Sequence, residues 1–235
     1  MSDELSKNAS ELLTNIRDKG PLVWNFSNFV SMDIAANALL SIGASPAMAH
    51  AKEEAKDFSQ ICKAINGALT INIGTFDPYW QECALEAAKH ANEINIPWVL
   101  DPVGAGASSF RNKNVEQLIK FKPTILRGNG SEIMAVAGIS RGGKGVDSTS
   151  TSNEALDAAI SIAKKNKIIV AVTGAIDYVT DGHVTYAIEG GHEMMTKVTA
   201  TGCALTCLIG AAVAVSYTHL REHETRHDLV CRLLI

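Results

Sequence analysis

The apolar positions of the chain follow two rhythms. Leu5, Ala9, Leu12, Leu13 and Ile16 recur at helical spacing, as do Ala35, Ala38, Leu39 and Ile42 behind a candidate N-cap at Ser31, and both stretches predict amphipathic helices. Short β-type runs lie at 22–26, 47–49, 69–73, 98–100, 124–126 and 168–173, most of them separated by helical segments. The runs at 69–73 and 168–173 are apolar on both alternations, which predicts strands buried on both faces of a mainly parallel sheet. The fold class is therefore α/β, with helices flanking both faces of the central sheet. One hairpin interrupts the alternation: Tyr178-Val179-Thr180 and Val184-Thr185-Tyr186 flank Asp181-Gly182, the chemistry of a tight turn, and predict an edge element. Alanines at 84, 87, 88 and 91 and at 155, 158, 159 and 163 predict helices packed closely on their neighbours. No linker divides this body.

Composition narrows the partners. The 235 residues are 46% hydrophobic and 20% charged with a formal net charge of −4, and no basic stripe marks a nucleic-acid surface. The apolar runs are too short and too broken for a membrane span, and the N-terminus is acidic and polar, so a cytoplasmic protein acting on small molecules is expected. Five cysteines form no C-x-x-C pair and read as free thiols of a reducing compartment.

The candidate chemistry follows the predicted strands. Asp101-Pro102-Val103-Gly104-Ala105-Gly106, Arg127-Gly128-Asn129-Gly130-Ser131-Glu132 and Thr173-Gly174 each come directly after a β-type run, and in an open α/β sheet such loops converge on one crevice outside the carboxyl ends of the strands. Thr199-Ala200-Thr201-Gly202-Cys203-Ala204 runs into an apolar helical stretch, so its N–H groups at a helix N-terminus predict an anion hole for phosphate. It matches neither a P-loop nor a dinucleotide fingerprint. Cys203 stands in the first turn, where the same field favours an anion, and Cys207 one turn on reads as core. Asp101 and Glu132, with Arg127 beside them, form a pair suited to Mg²⁺ and nucleotide phosphates, and the whole suits phosphoryl transfer.

N-F-S-N-F-V at 25–30, G-A-S-P-A-M at 43–48, D-P-V-G-A-G at 101–106, R-G-N-G-S-E at 127–132 and T-G-C at 201–203 resemble, in order, the hydroxyethylthiazole kinase family. The resemblance implies a ribokinase-like three-layer sandwich. It also implies ATP- and Mg²⁺-dependent phosphorylation of the hydroxyl of 4-methyl-5-(2-hydroxyethyl)thiazole in thiamin salvage, by a homotrimer with the thiazole pocket at subunit interfaces. By position it implies thiazole contacts at Met48, Asn25 and Ala200, ATP contacts at Arg127, Thr173 and Gly202, magnesium-side carboxylates at Asp101 and Glu132, and catalysis by Cys203, where related kinases carry an aspartate. Ala200 departs from the glycine usual in the family.

The resemblance ends after Val215. Residues 216–235 hold three of the seven histidines and, apart from Glu222, resemble an in-frame translation of a transposon-type sequencing adapter. The expectation is a kinase domain over 1–215, shortened at its C-terminus, followed by an unrelated tail. Within that tail His223-Glu224-Thr225-Arg226-His227 matches H-E-x-x-H, which opens a second reading, a zinc metalloprotease, although no third ligand or preceding cleft accompanies it. A non-catalytic α/β module that binds a small ligand is a third.

Overall fold

The computed structural model describes residues 2–139 and 148–220. Eight strands form one sheet. In chain order the elements are α1 (Ser2–Lys19), β1 (Leu22–Phe26), α2 (Met32–Ser41), β2 (Ser45–Ala47), α3 (Ala55–Ala64), β3 (Ala68–Asn72), α4 (Pro78–Glu93), β4 (Trp98–Asp101), α5 (Ser109–Ile119), β5 (Ile125–Asn129), α6 (Gly130–Val136), α7 (Ser148–Asn166), β6 (Ile169–Thr173), β7 (Ile176–Thr180), β8 (Thr185–Glu189) and α8 (Thr201–Leu220). The strand order is β2-β1-β3-β4-β5-β6-β7-β8, parallel through β6 and antiparallel for β7 and β8.

Strand side chains divide the core as the double alternation requires. Trp24, Phe26, Leu69, Ile71, Trp98, Leu100, Leu126, Val170 and Val172 point to one face, which the alanine stripes of α4 and α7 cover together with Cys62 of α3, Leu118 of α5 and Ile133 of α6. Val23 meets α1, α2 and α8 on the other face, and Val99, Ile125, Ile169 and Ala171 meet Val213 of α8. The result is three layers, helix on sheet on helix.

The hairpin is present at the sheet edge, but its loop is longer than a two-residue turn. Thr180 pairs with Thr185, and Asp181 Oδ1 accepts the N–H groups of His183 and Val184 at 2.8 and 2.9 Å. The β-type run expected at 47–49 lies instead at Ser45–Ala47, at the other edge of the sheet. Trp24 Nε1 donates to the Ala49 carbonyl at 2.8 Å, which commits that carbonyl to a side chain beyond the strand's end. Ser31 does precede α2, yet its hydroxyl makes no cap. It bonds Ser27 Oγ at 2.9 Å, while the Ser31 N–H donates to Asn28 Oδ1 at 3.1 Å.

Helix α8 rests on the sheet at Gly210. A methyl group there would stand 2.7 Å from Thr70 Cγ2 and 3.0 Å from Val23 Cγ1, closer than van der Waals contact allows. The helix continues through Leu220 with Ser216 buried, so it crosses the expected domain boundary at 215. Residues 221–235, with the His223–His227 motif, lie outside the described residues. Among the described residues no helix is long and apolar enough to cross a membrane.

Candidate active site

Successive strands deliver polar side chains to one end of the sheet, on the α8 face. The ladder sets Asn72 opposite Asp101 and Asn129 opposite Thr173. Asp101 closes β4 and is fully buried. Its Oδ2 accepts from Asn72 Nδ2 at 2.9 Å and from Thr206 Oγ1 at 2.8 Å, with Arg127 Nη1 3.8 Å away. Its Oδ1 is buried without any partner. Burial drives the carboxyl from its ordinary 3.8 up to about 6, against the pull of the Arg127 guanidinium and the Thr206 and Asn72 hydrogen bonds, while the negative charge of Glu132 adds to the rise.

Arg127 joins this centre to β6 and to α8. Its Nη2 donates to Thr173 Oγ1 at 2.6 Å, and its guanidinium lies against Gly202, where a Cβ would stand 2.8 Å from Nη1. Only glycine permits that approach. The first backbone hydrogen bond of α8 runs from Ala204 N–H to the Ala200 carbonyl at 2.9 Å, which leaves the N–H groups of Thr201, Gly202 and Cys203 ahead of the helix's own ladder. Those three N–H groups thus stand beside the Arg127 guanidinium. Ala200 precedes them with φ at +65°, the left-handed region that suits glycine and costs an alanine about 1 kcal/mol.

Glu132 carries a second task besides the one expected of it. Its Oε2 accepts the Asn129 N–H at 2.9 Å while Asn129 Oδ1 accepts the Glu132 N–H at 3.0 Å, a reciprocal cap that starts α6. Its Oε1 accepts the Gly104 N–H at 2.9 Å and so fixes the loop after β4. Each oxygen thus has one partner and remains open to another. With the bare Oδ1 of Asp101, the two carboxylates fit a hard cation that keeps several waters and phosphate oxygens in its shell. Among the described residues no cluster of three or more His, Cys, Asp or Glu suits a metal, so a zinc-type site has no support there.

Cys203, partly exposed, faces the loop after β1, where Asn28 Nδ2 donates to its sulfur at 3.4 Å. Cys207 is buried, and its thiol is pushed up to about 12, first by burial. That core role matches expectation. Met48, half-buried, packs beside the α1–α2–α8 cluster. His50 lies on the Trp80 ring at 4.5 Å, and Phe29 meets that ring edge-on at 5.4 Å. Asn25 does not join the crevice. It is buried against α8, where its Nδ2 bonds the Val23 carbonyl at 2.7 Å and its Oδ1 accepts from Thr70 at 2.7 Å, because its position within β1 points it into the layer. Asn28, three residues on and past the strand end, is the asparagine that reaches the site.

Asn28, Asn72, Thr206 and Arg111 escaped the sequence reading. Arg111 of α5 ties two loops together by donating to the carbonyls of Ile73, Val103 (2.8 Å) and Gly74 (2.9 Å). A separate cleft between α5 and α6, lined by Val115, Ile119 and Met134, includes none of Asp101, Arg127 or Cys203.

Comparison with known proteins points to one family. The profile of the hydroxyethylthiazole kinase family matches residues 13–229. The chain is similar to a hydroxyethylthiazole kinase of Rhizobium rhizogenes, 53% identical over 208 residues, 88% of this chain and 76% of that one. It is similar to one from Arabidopsis thaliana at 46% identity over 211 residues, 89% of this chain and 75% of that one. Among solved structures, the hydroxyethylthiazole kinase protein of Pyrococcus horikoshii OT3 superposes with a TM-score of 0.80 at 37% identity, covering 97% of this chain and 92% of that one. An ADP complex of Bacillus subtilis pyridoxal kinase, 15% identical with a TM-score of 0.61 over 90% of this chain and 88% of that one, shares the fold.

Two outcomes follow for stability. In the absence of nucleotide and divalent cations, Asp101 deprotonates near pH 6 when folded and near 3.8 when unfolded. Its contribution is fully present below pH 4 and is lost as the pH rises through 6. Urea unfolding of Asp101→Asn should show that slope removed and stability at pH 7.5 raised by about 2–3 kcal/mol; an unchanged slope would mean that the carboxyl titrates normally. Ala200→Gly should raise stability by up to about 0.5 kcal/mol in the same assay, because the strain at φ +65° outweighs the added freedom of the unfolded chain.

Proposed function

The chain belongs to the hydroxyethylthiazole kinase family, and on that premise we propose that it transfers the γ-phosphoryl group of ATP to the hydroxyl of 4-methyl-5-(2-hydroxyethyl)thiazole, a step of thiamin salvage. The observation that carries the reading is the bare, buried Oδ1 of Asp101, whose other oxygen accepts from Thr206 of α8 and lies near the Arg127 guanidinium.

In this reading the phosphates of ATP lie between Arg127 and the N–H groups of Gly202 and Cys203, and Thr173 keeps the guanidinium aimed at them. Asp101 and Glu132 would hold Mg²⁺, which neutralises phosphate charge when bound. Met48 and Ala200 border the thiazole, and Asn28 takes the place expected of Asn25. Cys203, as the thiolate, accepts the proton of the primary hydroxyl and becomes the thiol as the hydroxyl oxygen bonds to the γ-phosphorus. The bond from that phosphorus to the β–γ bridging oxygen breaks, and ADP leaves with the electron pair. Phosphoryl transfer needs little more than this positioning.

A homotrimer with the thiazole pocket at its interfaces is part of the same reading. Phe29 and Val30, next to Asn28, are 68% and 66% exposed, and Met194, Met195 and Val198 leave apolar surface before α8. A second chain covering the rim would bury them. Sedimentation velocity is expected to give three chain masses, and a purely monomeric species at micromolar concentration would count against the shared pocket. No observation among the described residues favours the protease or the passive binding module.

The chemistry is tested at Cys203. Cys203→Ala should lower kcat by roughly 10²–10⁴-fold, the usual worth of general-base help, with KM for the thiazole alcohol nearly unchanged because the anion hole is backbone. Cys203→Asp should retain activity. A fully active Cys203→Ala enzyme would remove the sulfur from the mechanism.

A further inference from the structure

Both ends of the Asn28 side chain are committed, and the commitments fix their direction. Oδ1 accepts the N–H groups of Val30 at 3.0 Å and Ser31 at 3.1 Å, so the other end is the donor. That Nδ2 reaches Asn72 Oδ1 at 3.0 Å and Cys203 Sγ at 3.4 Å. Asn72 is oriented in the same way, since its Oδ1 also accepts the Gly74 N–H at 2.8 Å while its Nδ2 donates to Asp101 Oδ2 at 2.9 Å. Backbone N–H groups can only donate, so flipping either amide would set donor against donor. The sulfur therefore receives a hydrogen bond on this side and gives none. Asn28 is itself buried and cannot swing away into solvent.

Building on the reading of Cys203 as proton acceptor, we propose that Asn28 is a positioning residue that holds Cys203 Sγ as a hydrogen-bond acceptor, with its remaining lone pairs turned to the substrate hydroxyl. A donated hydrogen bond favours negative charge on the atom that accepts it. Through Asn72 the same strut ends on Asp101, so the proton-accepting atom and the phosphate-side carboxylate are held at a set separation. Two neutral amides accomplish this without placing a further charge in the site.

Asn28→Asp separates this role from packing. Aspartate keeps the shape and the oxygen that accepts from Val30 and Ser31, but replaces the donating nitrogen with a second oxygen. In the full chain at fixed pH, iodoacetamide labelling of Cys203, followed by peptide mass, should slow roughly tenfold, because the sulfur loses its donor and faces an oxygen instead. Buried Cys62, Cys83 and Cys207 serve as internal controls. Over the same change kcat should fall roughly tenfold or more with KM for the thiazole alcohol within about twofold, and the kcat effect should vanish in a Cys203→Ala background. Labelling at the unmodified rate would overturn the proposal. Slower labelling with kcat unchanged would support the contact and overturn instead the catalytic assignment of Cys203. Should Asn28→Asp fail to fold, Asn28→Ser, too short to reach the sulfur, is read by the same labelling assay.

Discussion

The close seating of α8 on the sheet is the constraint on which the rest of the site depends. Gly210 lets the helix touch Thr70 and Val23, and Gly202, two turns earlier, lets it touch the Arg127 guanidinium. Between those contacts the helical repeat sets Thr206 against Asp101 and Cys207 against Thr70. Were the helix lifted by the width of a methyl group, the Thr206 hydrogen bond of 2.8 Å would be lost and the free N–H groups would no longer lie beside Arg127. The fold thus brings a helix end, a guanidinium and a carboxylate together through two positions that have no side chain.

Asp101 shows what this proximity costs. Most buried carboxylates are matched on both oxygens, whereas here only Oδ2 is. Arg127 stands near enough to offset part of the desolvation but not to form a bidentate pair, and its own Nε is also buried without a partner. The unliganded site therefore carries electrostatic strain, in the sense that its charges are better matched with ligand present. Preorganised charge of this kind is what phosphoryl transfer requires, since little reorganisation remains to be done once the phosphates arrive.

Much of this was legible in the sequence, and the parts that were not have physical reasons. The double alternation of 69–73 and 168–173 identified buried parallel strands, and each glycine-rich loop after a strand lies at the crevice. Asn72 and Thr206 were missed because a single polar residue inside an apolar run reads as an interruption, and only the sheet register and the helix seating show that both aim at Asp101. Arg111 was missed because its partners are carbonyls, which carry no side-chain signal. Asn25 and Asn28 share one motif, and the pleat decides between them: within β1 an asparagine is turned into the layer, and beyond its end it is turned toward Cys203. Asn129 and Glu132 did carry a legible signal, since N-x-x-E before an apolar stretch is the signature of a reciprocal helix cap.

The bare oxygen of Asp101 also links occupancy to the lifetime of the protein. A ligand that binds only the folded chain stabilises it by mass action, by about 1.4 kcal/mol for each tenfold excess over its dissociation constant. The unfolded fraction, which proteases and chaperones sample, shrinks by the same factor. In a cell well supplied with nucleotide and cation the chain would persist, and in a depleted one it would be cleared sooner. Enzyme abundance would then follow the supply of its own co-substrate without any dedicated regulator, as a consequence of one unsatisfied atom at the end of β4.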